Sequence, residues 1–452
     1  MRSRSRSLQK AKNSVSSFSL TELFSFFQPY LSFPQDIVSR GRSGPYTIIR
    51  TFGLFLYQIF CADGSCQKTV LAAKSCFRKR RPKSPNTCGY CKARKRLPIK
   101  LLLLMLKSLA RRSTEMICEN ELWFGKRVKI IDGTMYSMPD TEENQKEYPQ
   151  PDSQKKGCGF PKIRIVAVFS LINGVLLNYA SGRYRESERS LFLKIMDSFK
   201  KGDVALADRG FSGYADFSVL LSKKVDFVIR LRKKDHQSAR IIKEFNKNDR
   251  IKRWVKPSIK PRWMDKKLWK KVPESIDLRI VSYRIKGPGF RTHNVTVATS
   301  LLNPEEIPTA AFKELYLKRW RAEIYFKDIK TSMNMEMLSC KSPEMIHKEI
   351  LMYFIGYNLI RLTIYESARV HNVCLERISF KGALQAVWLR CFDKSKNVFK
   401  ELLEIISKLK NPRRPGRREP RAVKRRPKRH QYMTAPRDKF QEDPHRGKRA
   451  YS

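Results

Sequence analysis

Val128-Lys-Ile-Ile-Asp132 and Val204-Ala-Leu-Ala-Asp208 are two short apolar runs, each ending on an aspartate. Runs of this length, rich in aliphatic residues and closed by a turn residue, read as buried strands. Between them, Ile163 to Leu171 and Val175 to Ala180 flank Asn173-Gly174, a dipeptide that favours a tight hairpin because both residues tolerate positive φ. A helical stretch near Glu186 to Phe199 precedes the second Asp-ending run. Tyr214 to Ser222 then predicts a helix and Asp226 to Leu231 a further strand.

The order strand, strand, strand, helix, strand, helix, strand is that of an RNase H-like α/β core. Its first part occupies residues 121–235. Beyond it, a Lys-, Arg- and Trp-rich stretch to about Pro273 and two strands, Ile276 to Ile285 and Asn294 to Leu301, predict a β-rich insertion over 236–303. Pro304 and Pro308 close that insertion. One continuous helix is expected from Ala310 past Lys330 and another from Glu344 to Arg369, so residues 304–410 complete the core. Upstream, residues 1–120 open on Met1-Arg-Ser-Arg-Ser-Arg-Ser and read as helical to Phe60 and again from Pro98 to Cys118, around a dense basic segment. This predicts an N-terminal helical, basic module. Residues 411–452 hold 15 Lys or Arg against four acids and six prolines, a basic and mostly extended tail.

The chain has 94 Lys and Arg against 42 Asp and Glu over 452 residues, a formal net charge of +52. No fold requires such an excess, which repels itself in the compact state, so a polyanion such as double-stranded DNA is the expected partner. A hydrophobic content of 41% with 11% aromatic residues excludes a purely disordered basic protein. The ten cysteines are scattered and no signal peptide is evident, which predicts reduced thiols, no disulfides and a cytoplasmic, nucleoid-associated location. Apolar runs such as Leu101 to Leu106 and Leu351 to Ile360 are interrupted well before the ~18 residues a bilayer span needs, so no membrane segment is expected.

Asp132 and Asp208 end strands, where a carboxylate is both accessible and rigidly held. Taken alone, Asp132-Gly133 and Asp208-Arg-Gly210 are equally well read as ordinary turns. The stretch Tyr316-Leu-Lys-Arg319-Trp320-Arg-Ala-Glu323-Ile-Tyr-Phe-Lys-Asp-Ile-Lys330 changes that balance. At about 100° per residue, Tyr316, Arg319, Glu323 and Lys330 share one stripe of a helix, presenting a phenol, a guanidinium, a carboxylate and an ammonium. A bland reading leaves Arg319 and Glu323 as a surface ion pair worth ~0.3–0.5 kcal/mol. The alternative gives Asp132, Asp208 and Glu323 the catalytic task. Cleaving a phosphodiester by in-line attack uses two divalent ions ~3.5–4 Å apart, for which three hard-oxygen carboxylates suffice. Tyr316, Arg319 and Lys330 would then grip phosphates beside them.

With Tyr316, Arg319, Glu323 and Lys330 spaced as Tyr, two residues, Arg, three residues, Glu, six residues, Lys, the sequence resembles the cut-and-paste DDE transposases of the bacterial insertion sequence four family. Similar blocks are Ile131-Asp132-Gly133-Thr134, Gly157-Cys-Gly-Phe-Pro-Lys-Ile-Arg164, Ala207-Asp208-Arg-Gly-Phe211 and Tyr357-Asn358-Leu-Ile-Arg361. Further likenesses are Ser84-Pro-Asn-Thr-Cys-Gly-Tyr-Cys-Lys-Ala-Arg94 and Asn411-Pro-Arg-Arg-Pro-Gly-Arg, so the resemblance covers nearly the whole chain. It implies Asp132, Asp208 and Glu323 as ligands of two Mg²⁺ or Mn²⁺ ions, contacts from Tyr316, Arg319 and Lys330 to the DNA end, and excision through a DNA hairpin. Trp320 resembles a family aromatic that packs against a displaced base. It also implies terminal inverted repeats and target DNA as partners, with a dimer in the DNA complex. The chain departs from the family in one respect: Asn294 to Ser300 contains no second Trp, leaving Phe290 or Trp269 to substitute.

Cys88-Gly-Tyr-Cys91 has the spacing of half a zinc site, but no second well-spaced pair accompanies it, which argues against zinc. The run Arg78-Lys-Arg-Arg81, with Tyr90 and further cations downstream, is read as contacting phosphates at the terminal repeat. Replacing Arg78, Lys79, Arg80 and Arg81 with Ala is expected to weaken end binding and flatten its salt dependence, by roughly 0.9 in the slope of log K against log salt per lost contact. A salt titration with an unchanged slope would make this run a solvated loop. Two competing functions remain open to the sequence: a DNA-binding relic that has lost its chemistry, and an RNase H-like nuclease unrelated to transposition.

Overall fold

The structure is a computed structural model that describes residues 23–38, 44–61, 63–77, 82–232, 239–285, 293–413 and 435–436. Nine strands form one sheet: β1 (Val128–Ser137), β2 (Lys162–Ser170), β3 (Leu176–Arg183), β4 (Val204–Ala207), β5 (Asp226–Arg230), β6 (Arg240–Asn246), β7 (Asp249–Val255), β8 (Ser275–Ile285) and β9 (His293–Thr299). Their order is β3-β2-β1-β4-β5-β9-β8-β7-β6. β1, β4 and β5 run parallel, whereas every other neighbouring pair is antiparallel. Period-two alternation assigns the side chains to two cores. Val128, Ile130, Val204 and Leu206 enter one, and Ile131, Ala205 and Ala207 the other. Both faces of the central strands are therefore covered, which is why those strands read as continuous apolar runs.

Eleven helices matter to the site and its frame: α1 (Ile48–Phe60), α2 (Cys66–Cys76), α3 (Cys88–Arg96), α4 (Ile99–Glu115), α5 (Glu188–Leu193), α6 (Tyr214–Ser222), α7 (Thr309–Lys318), α8 (Arg321–Lys327), α9 (Pro343–Val370), α10 (Phe380–Leu389) and α11 (Val398–Lys408). The long helix α9 is the hub on which α1, α4, α10 and α11 pack. The N-terminal helices thus share a core with the sheet and α9. α9 also clamps the hairpin between β2 and β3. Tyr357 Oη donates to Gly174 O at 2.7 Å, Asn358 bonds both backbone groups of Leu176 at 2.8 Å, and Arg361 Nε donates to Asn173 O at 3.1 Å. Gly174 has φ +71°, the left-handed geometry the Asn-Gly turn anticipated. The block Tyr357-Asn358-Leu-Ile-Arg361 is accordingly a structural latch.

Several expectations need correction. The dense basic segment before Pro98 is not a break between helices, since it contains α2 and α3. Within α3, Tyr90 and Arg94 are buried, and both bond Gln58 of α1, so they face the core and not phosphate. The β-rich stretch after Arg232 holds β6 and β7 as well as the two strands expected, and β9 pairs directly with β5, so all four extend the central sheet. β6 and β7 escaped notice because their exposed faces are crowded with Lys and Arg, which hides the alternation. The helix expected from Ala310 past Lys330 changes hydrogen-bonding mode twice along its path. Around Arg319 to Glu323 the backbone makes i to i+3 bonds, and Asp328–Ser332 is a π turn. Tightening and loosening rotate side chains in opposite senses.

Candidate active site

Ile131 pairs with Ala207 in the parallel β1–β4 ladder, so Asp132 comes level with Asp208 past the end of β4; Asp132 does not end its own strand as expected, because pairing with β2 carries β1 on to Ser137. Each continues the alternation that points Ile130 and Leu206 toward the α8 and α9 side. Local bonds fix both carboxylates. Asp132 Oδ1 accepts from Gly133 N at 2.9 Å, and Asp208 Oδ1 accepts from Gly210 N at 2.7 Å. The turn after Asp208 is braced in turn: Arg189 Nε donates to Gly210 O at 2.9 Å and lies 3.2 Å from the buried Asp216 carboxylate. Gly133 must be glycine for a different reason. A Cβ there would come 2.7 Å from the Glu188 carboxyl, which is itself paired with Arg164 at 3.2 Å.

Glu323 stands in the first turn of α8. That helix is seated by Tyr325 and Phe326, which pack on Phe169 of β2 at 5.4 and 5.2 Å between ring centroids. Upstream, the start of α7 is pinned to the sheet by a buried ion pair. Arg279 makes two bonds to Asp249, at 2.8 and 2.6 Å, and donates to Ile307 O at 2.8 Å, while Thr309 donates to Asp249 at 2.6 Å. A bidentate Arg–carboxylate pair of this kind adds directional rigidity. Strands β7 and β8 therefore help to position the helix that carries Tyr316, Arg319 and Glu323.

Arg319 Nη2 donates to Glu323 Oε1 at 2.8 Å. The pair is unequally exposed, with Arg319 at 13% and Glu323 at 41%. Burial pushes the Asp132 carboxyl up to about 6; the Gly133 amide and Arg319 oppose that shift, whereas the charges of Asp208 and Glu323 reinforce it. Asp132 thus feels Asp208, Glu323 and Arg319 despite their distance in sequence. Tyr316 is also buried there; burial raises its pKa, and both Arg319 and Asp208 act on it. Lys330 Nζ donates to Met135 O on β1 at 3.0 Å and lies 4.9 Å from the Tyr136 ring centroid, and burial lowers its pKa. Trp320 is 57% exposed and points away from the packed side of the helix.

One further residue escaped the sequence reading. Arg230 ends β5 beside β4, and its charge acts on Tyr316. The available signal was positional: it ends its strand much as Asp208 follows β4, but an Arg in a chain holding 94 Lys and Arg attracts no notice. Arg78, Lys79, Arg80, Arg81 and Phe290 lie outside the described residues. Trp269 packs among the side chains of the β-rich stretch, with Lys256 Nζ 5.2 Å from its ring centroid. Cys88 is exposed, while its C-x-x-C partner Cys91 contacts Cys66.

The donor set suits a hard divalent cation. The Asp132 carboxyl holds its proton up to about 6 and feels the charges of Asp208 and Glu323, so negative charge there lacks full compensation. Among the described residues no three His, Cys, Asp or Glu side chains are closed into a cation cluster, and Glu323 is engaged by Arg319.

A model of the transposase DDE domain matches residues 123–359. The chain belongs to that family. As a DDE-domain transposase it is a DNA transposase, an enzyme that cleaves DNA and transfers strands, and Asp132, Asp208 and Glu323 all fall within the matched segment. It is 25% identical over 326 residues to the transposase InsG for insertion sequence element IS4 of Escherichia coli strain K12, spanning 70% of this chain and 71% of InsG. That likeness bears out the resemblance to the insertion sequence four family. The putative transposase InsZ of the same organism is 30% identical over 90 residues, 20% of this chain and 30% of InsZ. The piggyBac transposase, solved as a synaptic complex with hairpin DNA, aligns with a TM-score of 0.42 at 10% identity, covering 84% of this chain and 81% of that one. No described helix is long and apolar enough to cross a membrane.

Proposed function

We propose that this transposase excises an insertion sequence at its terminal inverted repeats and joins the ends to target DNA, using Asp132, Asp208 and Glu323 as its catalytic carboxylates. The observation that carries this reading is that the charges of both Asp208 and Glu323 act on the carboxyl of Asp132. Two Mg²⁺ or Mn²⁺ ions held there would activate the nucleophile and stabilise the leaving oxygen. The residues around them have separate tasks. Arg319, Tyr316, Lys330 and Arg230 orient the DNA end by gripping its phosphates. Tyr316 keeps its proton and donates it in a hydrogen bond, because burial raises its pKa. The fold is read as an RNase H-like core divided at residues 121–235 and 304–410, with 236–303 inserted between and 1–120 and 411–452 as basic flanks on double-stranded DNA. The active assembly is a dimer on two ends, in the cytoplasm at the nucleoid.

Trp320 serves the hairpin step. A large exposed ring three residues before Glu323 is a stacking platform for a base displaced from the duplex, worth ~1–3 kcal/mol per base. The test uses the purified chain, Mg²⁺ and a duplex carrying the short inverted repeats that flank the coding sequence. Nicked, hairpinned and fully excised products are resolved on a denaturing gel. The wild type should give all three, and Trp320→Ala should spare the first nick while lowering hairpin yield by about tenfold, the equivalent of ~1.4 kcal/mol. No metal-dependent cleavage by the wild type would remove the proposed function; normal hairpin yield from Trp320→Ala would remove only the stacking role.

A further inference from the structure

In the N-terminal helices, Gln58 of α1 gathers side chains from α2 and α3. Its Nε2 donates to Cys66 Sγ at 3.5 Å, and its Oε1 accepts from Tyr90 at 2.9 Å and from Arg94 at 3.1 Å. Cys66 is the first residue of α2 and Cys91 lies within α3; their sulfurs are 3.9 Å apart. Arg94, one turn beyond Cys91, is buried with its guanidinium 4.9 Å from the Phe55 ring centroid and 5.3 Å from that of Tyr90. Its buried Nε has no hydrogen-bond partner. A cation held in this way beside two thiols is the environment that stabilises a thiolate.

We propose that Cys66 and Cys91 form a reversible oxidation site, closing into an intramolecular disulfide with hydrogen peroxide as oxidant. The sulfurs need to approach by less than about 2 Å to reach the bonded separation of ~2.05 Å. Both residues are half-buried, so a small peroxide reaches them more readily than a bulky thiol reagent. The α2 N-terminus and Arg94 support the ionised sulfur when it forms. Burial of Cys66 opposes its ionisation, which keeps the resting pair as thiols.

In the first step one thiolate sulfur attacks a peroxide oxygen. The O–O bond breaks, and the departing hydroxide takes up the proton that the thiol had released, leaving water and a sulfenic acid. The second sulfur then attacks the sulfenyl sulfur and the S–O bond breaks. The hydroxide released takes the second thiol's proton, giving a second water. Two electrons have passed from the two sulfurs to the peroxide. The product covalently ties α2 to α3 and closes the segment containing Arg78, Lys79, Arg80 and Arg81, so the modification falls on the basic flank.

The test treats the full chain with hydrogen peroxide, blocks remaining thiols by alkylation, digests without reduction and maps cross-links by mass spectrometry. The expected principal product is a Cys66–Cys91 link that dithiothreitol reverses, formed in the same yield by Cys88→Ser. Retention of both thiols under conditions that oxidise the exposed Cys76 or Cys118 would overturn the proposal. So would preferential linkage of either residue to another cysteine, or loss of the Cys66–Cys91 link in Cys88→Ser, which would make Cys88 the true first reactant.

Discussion

Asp132→Asn is expected to lower DNA end cleavage by about 10³-fold or more while leaving the fold and end binding intact. Two divalent ions supply several kcal/mol of transition-state charge stabilisation, and each ~1.4 kcal/mol lost costs a factor of ten. Asn has nearly the shape of Asp and can still accept from the Gly133 amide, so the loss is one of charge. The effect on stability should run the other way. The Asp132 carboxyl moves from 3.8 when free to about 6 in the folded chain. The folded state therefore binds the proton more tightly, and ionised Asp132 costs stability that is absent below pH 3.8, grows between 3.8 and about 6 and is complete above that. That difference corresponds to roughly 3 kcal/mol. Without divalent ions, Asp132→Asn should thus melt at or above the wild type at pH 8, and the difference should vanish toward pH 4. Mg²⁺ should raise the melting temperature of the wild type more than that of the variant. Undiminished metal-dependent cleavage by Asp132→Asn would refute the site, whatever the melting curves show.

The parts of this molecule legible in its sequence are those where one physical requirement dominates. β4 and β5 are buried on both faces, so nothing polar interrupts their apolar runs except at the ends. Asp208 and Arg230 stand at those ends, whereas Asp132 lies in the middle of the longer β1. The Asn173-Gly174 turn was legible because Gly174 takes a positive φ that few other residues accept. β6 and β7 were not, because their exposed residues answer to solvent and charge, which impose no period. Tyr90 and Arg94 misled for a related reason. In a strongly basic segment a cation and an aromatic suggest phosphate contact, but Gln58 lies 32 and 36 positions upstream and only the tertiary fold brings it to them. The bonding changes within Tyr316 to Lys330 were also invisible, since i to i+3 and π turns need no distinctive residue. That the charge of Glu323 acts on Asp132 depends on α8 docking through Tyr325 and Phe326 onto Phe169. The spacing of the four polar residues hinted at a common face, but it could not say what that face meets.

Exchanging the charges of Arg319 and Glu323 distinguishes an ion pair from a catalytic one. An exposed pair is worth ~0.2–1 kcal/mol in either orientation, so Arg319→Glu combined with Glu323→Arg would leave stability and activity nearly unchanged if that were its only role. The surroundings are not symmetrical, however. Arg319 is the more buried partner and its cation bears directly on Asp132 and Tyr316. A glutamate at 319 would add a fourth negative charge near Asp132, Asp208 and the incoming phosphate, while an arginine at 323 would put a cation where a divalent ion is to bind. The two errors reinforce each other, and cleavage should fall below detection in a chain that still folds and binds DNA. Lys330→Ala provides the scale. Its Nζ donates to Met135 O, a bond whose loss is worth ~1 kcal/mol, and Lys acts toward phosphate as a point charge, so a defect of about tenfold is expected. Single-turnover cleavage on a pre-nicked end, together with end binding by gel shift, separates these outcomes. Wild-type cleavage by the charge-exchanged chain would reduce Arg319 and Glu323 to a surface ion pair and leave Asp132 and Asp208 without their third carboxylate.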